Sequence, residues 1–463
     1  MNVDVAVLGG GPAGYTAAIR AAQLGGKVAC IEQEPALGGT CLRVGCIPTK
    51  AWVQSAHAYH DARETFAKLG VQVGEPTLDF GTVASWKDAV VDQMTGGIAS
   101  LFKANGVEWV KGKGQLTGPN AIAVEGAEEV AFKGAIVATG SYPVRPPIPG
   151  IDSPRCVDST GLLAQTEVPR RLVILGGGII GCEFASIFNR FGTEVTIIEM
   201  LPSLIPTEDA DAAKELGKAF KKRGITLHLE KQCTKVDDHG DQLTVHFGEG
   251  ETVSCDLMLV AVGRAALVDG IGLEAAGVTF DRKAIATDDH RRTNVPHIYA
   301  AGDVAGYWQL AHTGFREGEV AAENAMGHEA TVGEPAVPRP IYTDPEIAGV
   351  GLTEAQAREL HGDNVVVGRC PWVAIARAVM SGVTGGWVKT IHEGTYGELL
   401  GVVIVGPHAT DLIGEAVVAL DAEATIETIA DGVAPHPTLA EGMKEAGLVA
   451  LGRPIHLAPK RRV

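Results

Sequence analysis

Val3-Asp4-Val5-Ala6-Val7-Leu8 runs directly into Gly9-Gly10-Gly11-Pro12-Ala13-Gly14, and the chain continues through Tyr15-Thr16-Ala17-Ala18-Ile19-Arg20-Ala21-Ala22. The first six residues predict a strand and the alanine-rich stretch a helix. A second strand, Val28-Ala29-Cys30-Ile31, ends at Glu32. The same order returns later. Leu172-Val173-Ile174-Leu175 leads into Gly176-Gly177-Gly178-Ile179-Ile180-Gly181, then a helix from about Cys182 to Arg190, then Glu194-Val195-Thr196-Ile197-Ile198 ending at Glu199. In both copies the acid lies 23 residues beyond the first glycine. Glycines let the backbone turn tightly and approach a pyrophosphate, and the helix start offers free N–H groups and partial positive charge. The acid accepts hydrogen bonds from ribose hydroxyls. One glycine pattern alone fits a simple tight turn. Two copies, each with strand, helix and acid in place, predict a duplicated dinucleotide-binding βαβ unit.

The remaining composition agrees with an α/β protein. The 463 residues suffice for about three domains. Hydrophobic residues make up 46% and charged residues 21%, which favours a folded globular chain over disorder. A net charge of -17 argues against nucleic acid as the main partner, and the basic end Lys460-Arg461-Arg462 is too short to reverse it. No apolar run approaches the roughly 18 residues of a membrane span, and no signal peptide is visible. A cytoplasmic location is expected, with no membrane partner.

Between the two fingerprints lies Gly38-Gly39-Thr40-Cys41-Leu42-Arg43-Val44-Gly45-Cys46-Ile47-Pro48-Thr49-Lys50. Cys41 and Cys46 form the one local cysteine pair. Cys30, Cys156, Cys182, Cys233, Cys255 and Cys370 are scattered singly and read as buried thiols. In a reducing compartment a close pair points to catalysis or metal more than to structure. A structural bridge and half of a metal site are the other readings. Zinc needs further ligands, and no second Cys pair or Cys/His cluster accompanies this one. His57 and His60 read as a solvated helix face, so no metal is expected. A nicotinamide delivers a hydride, whereas a disulfide is opened by nucleophiles; a flavin can connect the two. Two nucleotide sites and one dithiol thus suggest NAD, FAD and Cys41–Cys46 in series.

The segment GGTCLRVGCIPTK closely resembles the redox motif of the flavoprotein disulfide reductases, the pyridine nucleotide-disulfide oxidoreductase family. The resemblance extends along essentially the whole chain. Ala138-Thr139-Gly140 and Val262-Gly263-Arg264 resemble the strand ends closing the two nucleotide domains. Ala300-Ala301-Gly302-Asp303 resembles the second FAD motif, whose acid holds the ribityl chain. Tyr342-Thr343-Asp344-Pro345-Glu346 resembles the start of the C-terminal interface domain, and His436-Pro437-Thr438-Leu439-Ala440-Glu441 its catalytic His-Glu segment.

The resemblance implies a role for each of these positions. Cys41 is the interchange thiol and Cys46 the thiol facing the flavin. Lys50 lies near the reactive flavin nitrogen, with Glu183 as its ion-pair partner. Taken alone, Glu183 reads as an acid at a helix start, helped by the dipole. His436 is the acid/base, oriented by Glu441 one turn into a helix that Pro437 starts. It reaches the disulfide of the other subunit, which implies a homodimer. FAD is held by Gly9, Gly11, Pro12, Ala13, Gly14 and Glu32, by Gly39, Thr40 and Lys50, by Thr139 and Gly140, and by Gly302, Asp303 and Ala311. NAD is held by Gly176, Gly178, Gly181, Glu199, Val262 and Gly263. Glu199 repels a ribose 2′-phosphate, and Met200 to Ala213 contains no Lys or Arg to receive one, so NAD is expected over NADP. The chain departs from the family at Ala434, where many members have histidine, at Ile375, where a polar residue is common, and at Arg43, where asparagine is common. Arg43 stabilises a nearby thiolate or points to solvent, the two readings carrying equal weight.

Leu310-Ala311-His312 followed by Glu317-Gly318 resembles the members that oxidise dihydrolipoamide with NAD, often through lipoyl domains of multienzyme complexes. Cys370 is the last cysteine, so the tail delivers no second thiol pair. One rival is an NAD(P)H-dependent reductase of another low-molecular-weight disulfide, similar to glutathione or mycothione reductase. Another is a flavin-bearing interaction subunit without redox work of its own. The expected fold is α/β: two Rossmann-like dinucleotide domains for FAD (1–148) and NAD (149–266), a central domain completing the FAD site (267–336), and a C-terminal α+β dimerisation domain (337–463). Pro143 to Pro149 and Pro335 to Pro340 are the proline-rich joints.

Overall fold

The computed structural model describes residues 1–333 and 336–458; Pro335 and the basic end Lys460-Arg461-Arg462 lie outside these. Within them the βαβ unit appears twice. In the first sheet, strands Glu108–Lys111, Val28–Glu32, Asn2–Leu8 and Val130–Val137 lie side by side in that order, all parallel. In the second, Thr226–His228, Glu194–Ile198, Arg171–Leu175 and Leu257–Val260 repeat the order, again parallel, with Cys156–Val157 added at the edge. Parallel strands buried on both faces need continuous apolar runs. Val28–Glu32 is buried at every residue, and Arg171–Leu175 at all but its first.

The fingerprint helices begin earlier than their sequences suggest. The first is Pro12–Gln23 and the second Ile179–Phe191, starting at Ile179 where the sequence pointed to about Cys182. Gly11 and Gly178 take extended backbone as the residues preceding each helix, so the helix opens directly on the glycine turn. Proline at the first helical position has no N–H to lose there.

Residues beyond the second sheet return to the first. Strand Ile298–Ala300 pairs with Val130–Val137, Ala300 opposite Val137, and helix Ala311–Ala325 packs along Pro12–Gln23. The close packing depends on small residues: a Cβ on Gly318 would lie 2.3 Å from the Ala13 carbonyl oxygen. Strand Ser141–Pro143 pairs with Arg264–Ala266, joining the ends of the two nucleotide folds where the first proline-rich joint begins. The C-terminal region is a five-stranded antiparallel sheet, Arg339–Ile341, Ile347–Gly351, Leu399–Val405, Trp387–Glu393 and Val365–Pro371 in spatial order, backed by helices Ala409–Asp421 and Glu441–Ala450.

Helix Cys46–His60 carries the cysteine pair's second member and links the folds. Its Trp52 is fully buried, with its ring centroid 5.8 Å from Phe188 of the second fingerprint helix and 5.3 Å from Phe80. His57 and His60, on the same helix, are half-buried rather than on a solvated face. Burial, reinforced by Arg190, pushes His57 down and His60 to about 4. The six scattered cysteines are all buried. Ile375 is 2% exposed in the core of the C-terminal sheet, which explains an apolar residue there. Among the described residues no helix is long and apolar enough to cross a membrane.

Candidate active site

The two glycine turns have nearly the same geometry. Gly9 and Gly176 both have φ +109°, a left-handed conformation that side chains resist. A Cβ on Gly14 would lie 1.8 Å from the Gly9 carbonyl oxygen, and one on Gly181 would lie 2.1 Å from that of Gly176. The acids close each turn. Glu32 Oε2 accepts from the Gly10 N–H at 2.7 Å, and Glu199 Oε2 from the Gly177 N–H at 2.6 Å. Their other oxygens accept from the N–H groups of Glu34 and Leu201 at 2.9 and 2.7 Å. Each carboxylate is thus fixed by backbone donors before any ribose hydroxyl arrives, and each oxygen keeps a lone pair to accept one.

Both turns open on one cavity of roughly 1880 Å³. Single-ligand pockets usually span about 300–1,000 Å³, so this volume suits more than one dinucleotide. Its lining comes from the first fold, with Gly9, Thr40, Thr139 and Asp303, and from the second, with Gly176, Glu199 and Val262, and it includes Cys41, Cys46, and the Lys50–Glu183 pair that joins the two folds. A Cβ on Gly39 would lie 2.6 Å from the Gly11 Cα, so the glycine loop and the dithiol segment form a cradle that a side chain would fill. The residues present therefore fit a dinucleotide at each of the two glycine turns.

Cys41 lies in a short helix, Gly39–Val44, and Cys46 opens helix Cys46–His60 after Gly45. Both are free thiols. Their ionisations diverge. The hydrogen bond from Cys41, and then the Lys50 ammonium, bring Cys46 down to about 7 against the opposing effect of burial. The same hydrogen bond, with burial, holds the Cys41 proton far above the ordinary thiol range. A thiolate on Cys46 and a thiol on Cys41 is the pairing this surrounding favours. Arg43 takes neither role the sequence left open: its guanidinium pairs with Glu34 at 2.7 Å.

Lys50 Nζ lies 2.7 Å from Glu183 Oε2. Burial alone would lower its pKa, but Glu183, followed by the Cys46 thiolate, keeps it above the usual lysine value. Glu183 is 5% exposed, and its second oxygen accepts from the Tyr342 N–H at 2.9 Å. The ammonium also sits 4.6 Å from the centroid of the Tyr342 ring. The fixed charge thus has carboxylate, thiolate and ring around it.

Two further groups in this wall, Ser141 and Lys231, escaped the sequence, and Glu317, read there only as part of a resemblance, holds the wall from behind. Ser141 donates to Asp303 Oδ2 and accepts from Arg264 Nε at 2.8 Å. Glu317 accepts from the Gly302 N–H at 2.7 Å, pinning the turn ahead of Asp303. Lys231 lies outside the segment Met200 to Ala213, yet it lines the cavity beside Glu199; its ammonium is held by Glu251 at 2.7 Å. The paired glycines Gly314 and Gly318 were the one visible hint that their helix presses against the first fingerprint, carrying Glu317 with it.

His436 and Glu441 stand apart from this cavity. His436 Nδ1 is 2.8 Å from Glu441 Oε1, and the Thr438 N–H donates to Glu441 Oε2 at 3.0 Å. The helix starts at Glu441 itself, not at Pro437 as the sequence suggested. The intervening turn spends the Thr438 N–H on the carboxylate and the Thr438 hydroxyl on the Pro435 carbonyl, so Glu441 reaches back to the ring from the first helical position. The His436 side chain is 72% exposed, with Val433 97% exposed beside it.

The pyridine nucleotide-disulphide oxidoreductase family matches residues 3–318, and the dimerisation domain of the same family matches residues 337–447. The chain belongs to this family. Dihydrolipoyl dehydrogenase from Bacillus subtilis is 40% identical over 460 residues, covering 98% of this chain and 100% of that protein. The mitochondrial dihydrolipoyl dehydrogenase of Pisum sativum is 41% identical over 464 residues, covering 98% and 92%. Among solved structures, the flavoprotein disulfide reductase RclA from Escherichia coli superimposes with a TM-score of 0.87 at 30% identity, covering 95% of this chain and 98% of that one. LpdA from Mycobacterium tuberculosis does so with a TM-score of 0.89 at 28% identity, covering 96% and 99%. The α/β fold and the C-terminal dimerisation unit are those expected from the sequence. The protein is a flavoprotein oxidoreductase whose cofactors are FAD and NAD(H).

Proposed function

We propose that this chain oxidises dihydrolipoamide to lipoamide and reduces NAD to NADH. The observation that carries the reading is the placement of Cys46, with a pKa near 7, and Cys41 between two dinucleotide cradles in one cavity. The names of the full-length relatives favour lipoamide over other disulfides.

In the oxidised enzyme Cys41 and Cys46 form the disulfide. His436 of one subunit removes a proton from the substrate dithiol at the other subunit's pair, with Glu441 holding the ring by its Nδ1. The substrate thiolate attacks the Cys41 sulfur; a substrate–Cys41 bond forms, and the Cys41–Cys46 bond breaks. Cys46 leaves as a thiolate, stabilised by Cys41 and Lys50. The second substrate thiol, its proton passing to solvent, attacks the sulfur bonded to Cys41, closes the lipoamide ring and expels Cys41, which takes the proton held on His436. Bound FAD and NAD supply the onward path for the electron pair. Lys50, fixed by Glu183, holds positive charge beside that path.

Cofactor contacts follow the two cradles. Gly9, Gly11, Pro12, Ala13, Gly14, Glu32, Gly39, Thr40, Lys50, Thr139, Gly140, Gly302, Asp303 and Ala311 hold FAD. Gly176, Gly178, Gly181, Glu199, Val262 and Gly263 hold NAD. The domain division 1–148, 149–266, 267–336 and 337–463 belongs to the same reading. So do a homodimer as catalytic unit, a cytoplasmic location, and service to lipoyl domains of a multienzyme complex. The exposure of His436 away from its own chain's cavity supports the dimer. Steady-state assay with dihydrolipoamide and NAD, against glutathione disulfide and NADPH, decides the substrate. Faster turnover of glutathione disulfide would make this a reductase of another disulfide, and no turnover of either would favour an interaction subunit.

A further inference from the structure

A second cavity of roughly 400 Å³ lies against the wall of the first, lined in part by Arg264, Arg282, Lys283, Tyr307 and Trp308. None of its lining residues carries a carboxylate. Among the described residues, none of its three cations has a carboxylate within 4.0 Å. Asp281, the nearest acid in sequence to two of them, turns its Oδ1 onto the N–H groups of Lys283 and Ala284 at 2.7 and 3.0 Å. Arg264 spends Nε and Nη2 on the Ser141 hydroxyl and carbonyl at 2.8 and 2.7 Å, whereas Arg282 and Lys283 have no side-chain partner among the described residues, which is unexpected on a chain of net charge -17.

The aromatic side is held in place. Tyr307 stacks on the guanidinium of buried Arg291 at 4.1 Å, and its hydroxyl donates to the Thr287 carbonyl at 3.1 Å. Tyr307 and Trp308 are 51% and 46% exposed, so each leaves ring surface for a ligand. Guanidinium and ammonium donors suit phosphate, and exposed rings suit a planar heterocycle. The volume lies in the range for one small ligand and is far below that of the two-dinucleotide cavity.

We infer that this pocket binds a mononucleotide, with Arg282 and Lys283 receiving its phosphate and Trp308 its base. Arg264, Trp308 and Gln309 line both cavities, so occupancy is felt at the flavin end of the main one.

AMP is the probe, titrated into FAD-loaded enzyme with NAD saturating so that the second cradle is filled. Equilibrium dialysis counts bound AMP, and the flavin difference spectrum reports its arrival. Binding of AMP in the presence of NAD, with adenosine and inorganic phosphate each at least about tenfold weaker, supports the inference. So does a loss of at least about tenfold for Arg282→Ala/Lys283→Ala, with FAD content and KM for NAD unchanged. Both side chains are exposed, and neither lines the main cavity. If the double variant loses FAD, the salt dependence of wild-type AMP binding stands in: affinity must fall as ionic strength rises. AMP excluded by NAD, AMP binding unchanged in the double variant, or binding indifferent to salt would each overturn the inference.

Discussion

Glu183 divides its carboxylate between Lys50 and the backbone of Tyr342: Oε2 meets Lys50 Nζ at 2.7 Å and Oε1 accepts the Tyr342 N–H at 2.9 Å. The helix after the dithiol, the second fingerprint helix and the C-terminal region therefore meet at one buried acid. Replacing it by glutamine leaves the lysine charge without its anion while keeping similar shape. Lys50 keeps some solvent contact, so the expected loss is moderate, about 1–3 kcal/mol of stability. Turnover should fall by about ten- to a hundredfold with KM for dihydrolipoamide nearly unchanged. Thermal unfolding and steady-state kinetics on Glu183→Gln check this; unaltered turnover would remove Glu183 from the charge arrangement.

The two thiols should titrate separately. Because Cys46 is lowered to about 7 and Cys41 raised, reduced enzyme at pH 8 carries its thiolate on Cys46. Anaerobic reduction should give a long-wavelength thiolate–flavin band that grows as pH rises through about 7 and fades below it. Cys46→Ser should lack the band. A band persisting in that variant would move the assignment to Cys41.

The duplicated turns permit a paired test. Methyl groups at Gly14 and Gly181 would meet carbonyl oxygens at 1.8 and 2.1 Å, distances no Cβ tolerates. Gly14→Ala should purify with little FAD. Gly181→Ala should retain FAD and show a KM for NAD raised at least about tenfold. Flavin absorbance per chain and NAD kinetics distinguish the two; loss of FAD from both would indicate general misfolding.

Glu199 is fixed at the end of its strand by two backbone donors and cannot swing away from a 2′-phosphate. The nearby Lys231 is already held by Glu251. Like charges brought together cost several kcal/mol, so kcat/KM for NADPH should be at least about a hundredfold below that for NADH. Glu251→Gln frees Lys231 and should narrow the gap. Equal use of both nucleotides by the wild type would contradict the role given to Glu199.

His436 and Glu441 form a hydrogen-bonded pair at 2.8 Å. The carboxyl of Glu441 is held below its ordinary range by His436 and Thr438, overcoming the contrary effect of burial. It therefore stays ionised through neutral pH and orients the ring. His436→Gln should lower kcat/KM for dihydrolipoamide by about 10²–10⁴-fold, and Glu441→Gln by less. Mixing His436→Gln with Cys41→Ser chains should restore some activity if the pair works across subunits. No recovery in isolated heterodimers would place the acid/base elsewhere.

Much of this was legible in order along the chain. A βαβ unit is local, and its glycines, helix start and acid are tied by short stretches of backbone. The 23-residue interval from Gly9 to Glu32 and from Gly176 to Glu199 therefore already specified two cradles. The interval between Cys41 and Cys46 likewise specified exchange chemistry. Arg43 was ambiguous because its neighbours in sequence do not say which acid it meets; folding brings Glu34 to it. Lys231 was overlooked because a window after Glu199 sees only one strand, whereas the parallel sheet brings the next crossover back beside the acid.

By itself, the sequence determined the fold class, two nucleotide sites and a dithiol between them, since each depends on residue types at short fixed spacing. Tertiary structure alone decided the rest. Lys50 and Glu183 are 133 residues apart, and the shared core that includes Trp52 and Ala56 on one helix and Phe184 and Phe188 on the other sets their helices side by side. The lowered pKa of Cys46 comes instead from its own segment, from the Cys41 hydrogen bond and then the Lys50 ammonium, against the opposing effects of burial and of Glu183.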